Sequence, residues 1–169
     1  MTSIVRLMHY AAAWPQEFQQ IKSGILQSCA GAVVAVEHIG STAIPGLIAR
    51  PIIDAVASVG SPEAFEEAIA RIEGLNFRRI EAPFWCRDSV LLLRPRHGEP
   101  THQLLLSPPA SQTVQRTLAI RDYLRREPAR AIEFEQAKIE RWKDREGDPV
   151  AYARDKAAFF AHLEEQLGL

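Results

Sequence analysis

Nine consecutive residues, Pro51 to Val59, are apolar apart from Asp54 and Ser58. A stretch this short and this rich in Ile and Val reads as a strand, and apolar residues at both odd and even positions mean that both of its faces are covered. A chain containing such a strand needs packing layers on either side, which a sheet flanked by helices supplies. The same run poses a chemical problem. The Asp54 carboxylate, inside Pro-Ile-Ile-Asp-Ala-Val-Ala, is costly to bury without a cation, a metal ion or several hydrogen bonds.

The rest of the chain supplies those layers. Trp14, Phe18, Ile21, Ile25 and Leu26 recur at helical spacing, so a helix is expected over Trp14–Ser28 with Pro15 in its first turn. Ala32–Ile39 predicts a strand, and Gly40–Leu47 a turn with one helical turn, stopped by Pro45-Gly46. Ser61-Pro62-Glu63 opens a second helix that ends at Gly74. Further strands are expected at Ser3–Met8, Asn76–Ile80, Phe84–Arg87, Ser89–Arg94 and Thr101–Leu106, with Arg96–Pro100 as the hairpin loop before the last. After Pro108-Pro109 the pattern becomes helical: Ser111–Arg126, Pro128–Arg145 and Pro149–Leu167. The expected fold is α+β, a mixed sheet flanked by helices with a helical C-terminal half. One domain over 1–169 is expected, with a sheet-containing core at 1–107 and helices at 108–169.

Composition narrows the function classes. At 47% apolar and 24% charged, with a net charge of −1, the chain has no basic field to attract nucleic acid. Cys29 and Cys86 belong to no metal-ligand or redox spacing and read as reduced thiols. The N-terminal stretch is interrupted by Arg6, His9 and Pro15, unlike a signal peptide, and no run approaches the ~18 apolar residues of a membrane span. A soluble cytoplasmic protein is expected; its oligomeric state is not read from the sequence.

The turn before the apolar run holds the remaining parts of a site. Gly40 lets another group approach its backbone, and Ser41, with Thr42 beside it, begins a helical turn whose unpaired N–H groups suit an anion. Arg50 carries a guanidinium suited to bidentate phosphate binding. Strand, turn, cation and carboxylate together describe a site for a nucleotide or another phosphorylated small molecule. The plainer alternative is an ordinary Gly-Ser turn, with Asp54 paired to Arg50 or another arginine as a structural contact.

The run Glu37-His38-Ile39-Gly40-Ser41-Thr42-Ala43-Ile44-Pro45-Gly46-Leu47, followed by Arg50-Pro51-Ile52-Ile53-Asp54, resembles the signature of the GrpB family. That family is similar in fold to the nucleotidyltransferase superfamily of DNA polymerase β and the antibiotic nucleotidyltransferases. Tyr10 with Trp14-Pro15, Thr101-His102, Arg121 to Arg125, Lys138, Tyr152 and Lys156 resemble other parts of the family pattern. The resemblance implies a nucleotide pocket with Gly40 and Ser41 at the triphosphate and Asp54 as the catalytic, metal-binding carboxylate, assisted by a divalent metal such as Mg²⁺.

Two departures stand out. Val56 occupies the position of the superfamily's second acid, and the strand after Thr101 carries no acid, with Leu105 where the family often has a second His. Two-metal transfer normally needs about three carboxylates. His38 and His102 are the substitute ligands; with Asp54 they would favour a transition metal over Mg²⁺. Glu37, which alternation turns away from His38, and Asp88 and Glu99 are weaker candidates, expected to be solvated charges. Arg116, Arg121, Arg125, Arg126 and Arg130 are expected to form a solvated face offset by Glu127 and Glu133, with an anionic-substrate cleft as the alternative. Trp85, Trp142 and Tyr152 read as core or interface packing residues, with stacking on a base as the alternative. The functional expectation is metal-assisted nucleotidyl transfer; the alternative is a non-catalytic nucleotide- or phosphate-binding module that has lost the acid pair.

Overall fold

The computed structural model describes residues 6–82, 86–144, 164, 165, 167 and 168, with the side chains of 141–144 left aside. Helix α1 covers Trp14–Ser28 with Pro15 in its first turn, the bounds read from the sequence, and buries Trp14, Phe18, Ile21 and Ile25. Strand β1 (Val33–Ile39) leads through a 3-10 turn at Ser41–Ala43 to β2 (Ile53–Val59). Helix α2 spans Phe65–Glu73, and Pro62–Ala64 forms a separate 3-10 turn before it rather than its first turn. Strands β3 (Arg78–Ile80), β4 (Val90–Arg94) and β5 (His102–Ser107) follow, then α3 (Gln112–Arg126) and α4 (Pro128–Asp144).

The five strands form one mixed sheet in the order β1-β2-β5-β4-β3. Strands β2 and β5 are parallel and the other pairs antiparallel. The expected central strand is therefore β2, paired on both edges. Its residues Ile53, Ala55, Ala57 and Val59 share one core with Val36, Leu92, Leu104, Leu106 and the buried residues of α1 and α2. Val56 faces the opposite side, in a second cluster with Ile39, Cys86, Leu91 and Leu105, and Val114 and Leu118 of α3 pack on it. A third cluster joins Ile44 and Leu47 of the turn segment to Ile120, Leu124, Ala131 and Phe134 of α3 and α4. The turn segment is thus part of the helical half's core. No helix among the described residues is long and apolar enough to cross a membrane.

Two expected elements change. Only Met8 of the first expected strand forms a bridge, antiparallel to Ala49, and 3–5 lie outside the described residues. The strand expected at Phe84–Arg87 is not formed at Cys86 and Arg87, which lie in a turn; Phe84 and Trp85 lie outside the described residues. Most of the helix expected over 149–167, with Tyr152 and Lys156, also falls outside them.

Asp88 was expected to be a free solvated charge. Although exposed, it instead fixes the start of α3. Its carboxylate accepts from Ser89 Oγ at 2.8 Å, Ser111 Oγ at 2.6 Å and Thr113 Oγ1 at 2.5 Å. Ser111 Oγ in turn accepts from the Val114 N–H at 3.3 Å, capping the helix. Burial alone would raise the Asp88 pKa, but the hydroxyl and backbone donors prevail and hold it below the ordinary carboxylate value. Ser111→Ala removes the cap and one carboxylate donor together, and is expected to lower unfolding free energy by about 1 kcal/mol. Urea denaturation at pH 7 checks this; an unchanged midpoint would show that the cap does not hold α3.

Candidate functional site

The 38–54 segment is positioned by register. Ile39 of β1 pairs with Asp54 of β2, His38 with Ala55, and Glu37 with Val56. Directly paired residues share a sheet face and neighbours along a strand alternate. Asp54 therefore lies on the α3 side with Ile39, Val56 and Glu37. The parallel pairing of β2 with β5 adds Gln103 opposite Asp54 and Leu105 opposite Val56 on that side, and Leu93 of β4 and Arg78 of β3 continue the Asp54 row.

The proposed histidine ligands are on the wrong face. His38, paired with Ala55, stacks on Phe18 of α1 at 4.7 Å between ring centroids and 13° between planes. His102 pairs with Ile53, also on the α1 side, and its Nδ1 is 2.8 Å from Thr101 Oγ1. Alternation correctly separated Glu37 from His38, but Glu37 is the one that shares a face with Asp54. Among the described residues no group of three His, Cys, Asp or Glu side chains is placed to hold a metal ion. The donor set of two imidazoles and one carboxylate is therefore not assembled, and a transition-metal site does not fit. On the correct face the strand positions carry Val56, Gln103 and Leu105, and the two apolar residues are each 2% exposed.

Gly40 meets a steric requirement. Its φ of 73° is left-handed, and a Cβ built there would lie 2.6 Å from Asp54 Oδ2. Only a residue without a side chain lets the carboxylate pack on the turn. Asp54, Gly40 and Arg50 are each half-buried, and among the described residues no ion pair joins Arg50 to Asp54.

Ser41 and Thr42 are more enclosed than the sequence suggested, at 6% and 2% exposure. Thr42 Oγ1 is hydrogen-bonded to His38 Nε2 at 2.8 Å. Ser41 Oγ accepts from Lys138 Nζ of α4 at 2.8 Å. Lys138 is itself buried, donates to the Ile48 carbonyl at 2.7 Å, and sits 4.9 Å from the Phe134 ring centroid. Glu135 Oε1 accepts from the Ile48 N–H at 3.3 Å. Arg125 Nε donates to the Ala43 carbonyl at 3.0 Å. Arg121 reaches the His38 carbonyl at 3.1 Å and Glu37 at 2.8 Å.

Two of the five arginines expected on a solvated face are thus turned inward, Arg125 onto the turn's backbone and Arg121 onto β1, and Glu37 is ion-paired rather than free. Arg130 keeps an exposed pairing with Glu133. Lys138 was read only as part of a family pattern. A signal was available: with Ala131 and Phe134 at spacings of three and four, it continues the apolar stripe of α4, where a lysine needs a buried acceptor.

These features describe an α+β chain whose glycine–serine turn is clasped by two C-terminal helices and backed by a strand carboxylate. Residues 4–166 match the family model described as GrpB protein, and the chain belongs to the GrpB family. A UPF0157 protein of Pseudomonas aeruginosa is 31% identical over 159 residues, 89% of this chain and 62% of the relative. A UPF0157 protein of Streptomyces coelicolor is 34% identical over 111 residues, 60% of this chain and 58% of the relative. The chain thus spans about three fifths of the length of these curated relatives. The crystal structure of the conserved protein GrpB from Enterococcus faecalis superposes with a TM-score of 0.83 at 27% identity, covering 95% of this chain and 96% of that one. A Cid1 poly(U) polymerase structure aligns with 69% of the chain at a TM-score of 0.49 and 10% identity, a partial likeness of topology only.

His38 allows a direct test of this packing. Burial first, then the Arg125 and Arg121 cations, push its pKa down from 6.5 to about 4. The unfolded chain then takes up a proton as pH falls through about 6.5 while the folded chain does not until about 4, so stability falls across that window. His38→Gln is expected to shrink the loss of unfolding free energy between pH 7 and pH 4.5 by on the order of 2 kcal/mol. Urea titrations at the two pH values measure it; equal losses in both proteins would contradict the buried neutral imidazole.

Proposed function

We propose that this chain binds a nucleoside triphosphate or a related phosphorylated small molecule over the Gly40–Ser41 turn, without transferring a nucleotidyl group. The carrying observation is the pairing of Gly40 with Asp54. A turn without a side chain lies against a strand carboxylate, while the neighbouring positions on that sheet face, Val56 and Leu105, are buried and apolar. Such a place suits phosphate oxygens approaching backbone N–H groups, with Arg50 following at the edge. Mg²⁺ is commonly held by one or two carboxylates plus substrate phosphates, so Asp54 fits a metal that arrives with the nucleotide rather than a resident pair. Thr42 keeps the turn's shape through His38 and does not itself meet the ligand.

Metal-assisted nucleotidyl transfer is the second reading, and one observation favours it. Glu37 lies on the Asp54 face, opposite Val56, where a second carboxylate is missing, although Arg121 holds it. Isothermal titration with the four common nucleoside triphosphates and Mg²⁺ separates the readings. Binding is expected, weakened about tenfold or more by Asp54→Ala, with no release of pyrophosphate. Absence of binding to all four, or equal binding by the variant, would refute the proposal. Pyrophosphate release that Glu37→Gln abolishes would establish transfer instead.

A further inference from the structure

The Lys138–Ser41 contact has a direction. An ammonium group donates and cannot accept, so Ser41 Oγ is the acceptor and its own hydroxyl hydrogen is turned toward some other group. A second N–H of Lys138 is fixed on the Ile48 carbonyl, which limits how the ammonium can rotate. Phe134, next to Lys138 on α4, packs with Ile44 and Leu47 of the same turn segment. Burial of a charged group at 5% exposure requires such partners. The arrangement leaves Ser41 able to donate to an anion at Gly40 and places a positive charge one hydrogen bond behind it.

From this geometry we infer that Lys138 is a positioning residue for phosphate binding: it holds the Ser41 hydroxyl as a donor and couples α4 to occupancy of the turn. The inference rests on the phosphate-binding reading above and adds the residue that transmits it. A phosphate at the turn takes the Ser41 proton in a hydrogen bond. That bond strengthens the oxygen as an acceptor for Lys138, and α4 is held more firmly onto the turn.

The test uses the full chain with Mg²⁺-ATP as the probe. Lys138→Met keeps the apolar stem, and is expected to weaken ATP about tenfold while far-ultraviolet circular dichroism is preserved; Lys138→Arg, which keeps a cationic donor, stays within about threefold. Ser41→Ala is expected to lose a similar factor, and the double variant no more than the worse single one, because the two residues act as one unit. In the wild type, saturating ATP is expected to slow amide exchange across residues 131–144 about fivefold or more. Wild-type affinity in Lys138→Met, or single losses that multiply in the double variant, would overturn the role of Lys138 while leaving the phosphate reading intact. Should Lys138→Met not fold, the wild-type exchange decides, and unchanged α4 protection overturns the inference. A wild type that binds no ATP fails at the earlier step and removes both.

Discussion

The structure depends on a buried cation meeting a backbone turn. Lys138, carried on an otherwise apolar stripe of α4, is enclosed and bonded to Ser41 and to the Ile48 carbonyl. Removing one partner of such an arrangement leaves the other unsatisfied in a low-dielectric interior, which is why these contacts specify a single packing geometry. The same helical half supplies Arg125 and Glu135 to carbonyl and amide groups of the turn segment, and Arg121 to the His38 carbonyl near the end of β1. The 40–48 segment, irregular apart from one 3-10 turn and therefore poor in internal hydrogen bonds, is satisfied largely from outside.

That support explains how the two halves relate. The sheet contributes Asp54 through β2, and the helices contribute the groups that fix the turn lying against it. Gly40 is where the two meet, since its missing side chain gives the carboxylate its place. On this sheet face the strands carry two acids, Asp54 and the Glu37 that Arg121 holds. An apolar Val56 beside Asp54, with Glu37 held by Arg121, is what sets the proposed phosphate binding apart from two-metal transfer.

Much of the fold was legible because it is local. The period of α1, the apolar run of β2 and the helical pattern of α3 are each written within a few residues, and the structure carries them with the expected bounds or within two residues of them. The site was legible only in part. Gly40 does lie against Asp54. Strand alternation set His38 and Glu37 on opposite faces, but which of them shares Asp54's face depends on the register Ile39–Asp54, a non-local fact. His102 was misassigned for the same reason, through its pairing with Ile53. Asp88 and Lys138 gained their partners from segments 23 and 97 residues away, beyond any pattern a local reading detects.

The central claim is that the Gly40–Ser41 turn is where a phosphate group binds. The most direct measurement is a titration of the ¹⁵N-labelled protein with inorganic pyrophosphate and Mg²⁺, followed by the backbone amide shifts. Saturable shifts that are largest at Gly40, Ser41 and Thr42 are predicted. Shifts confined to other segments, or none at all at millimolar ligand, would contradict the account.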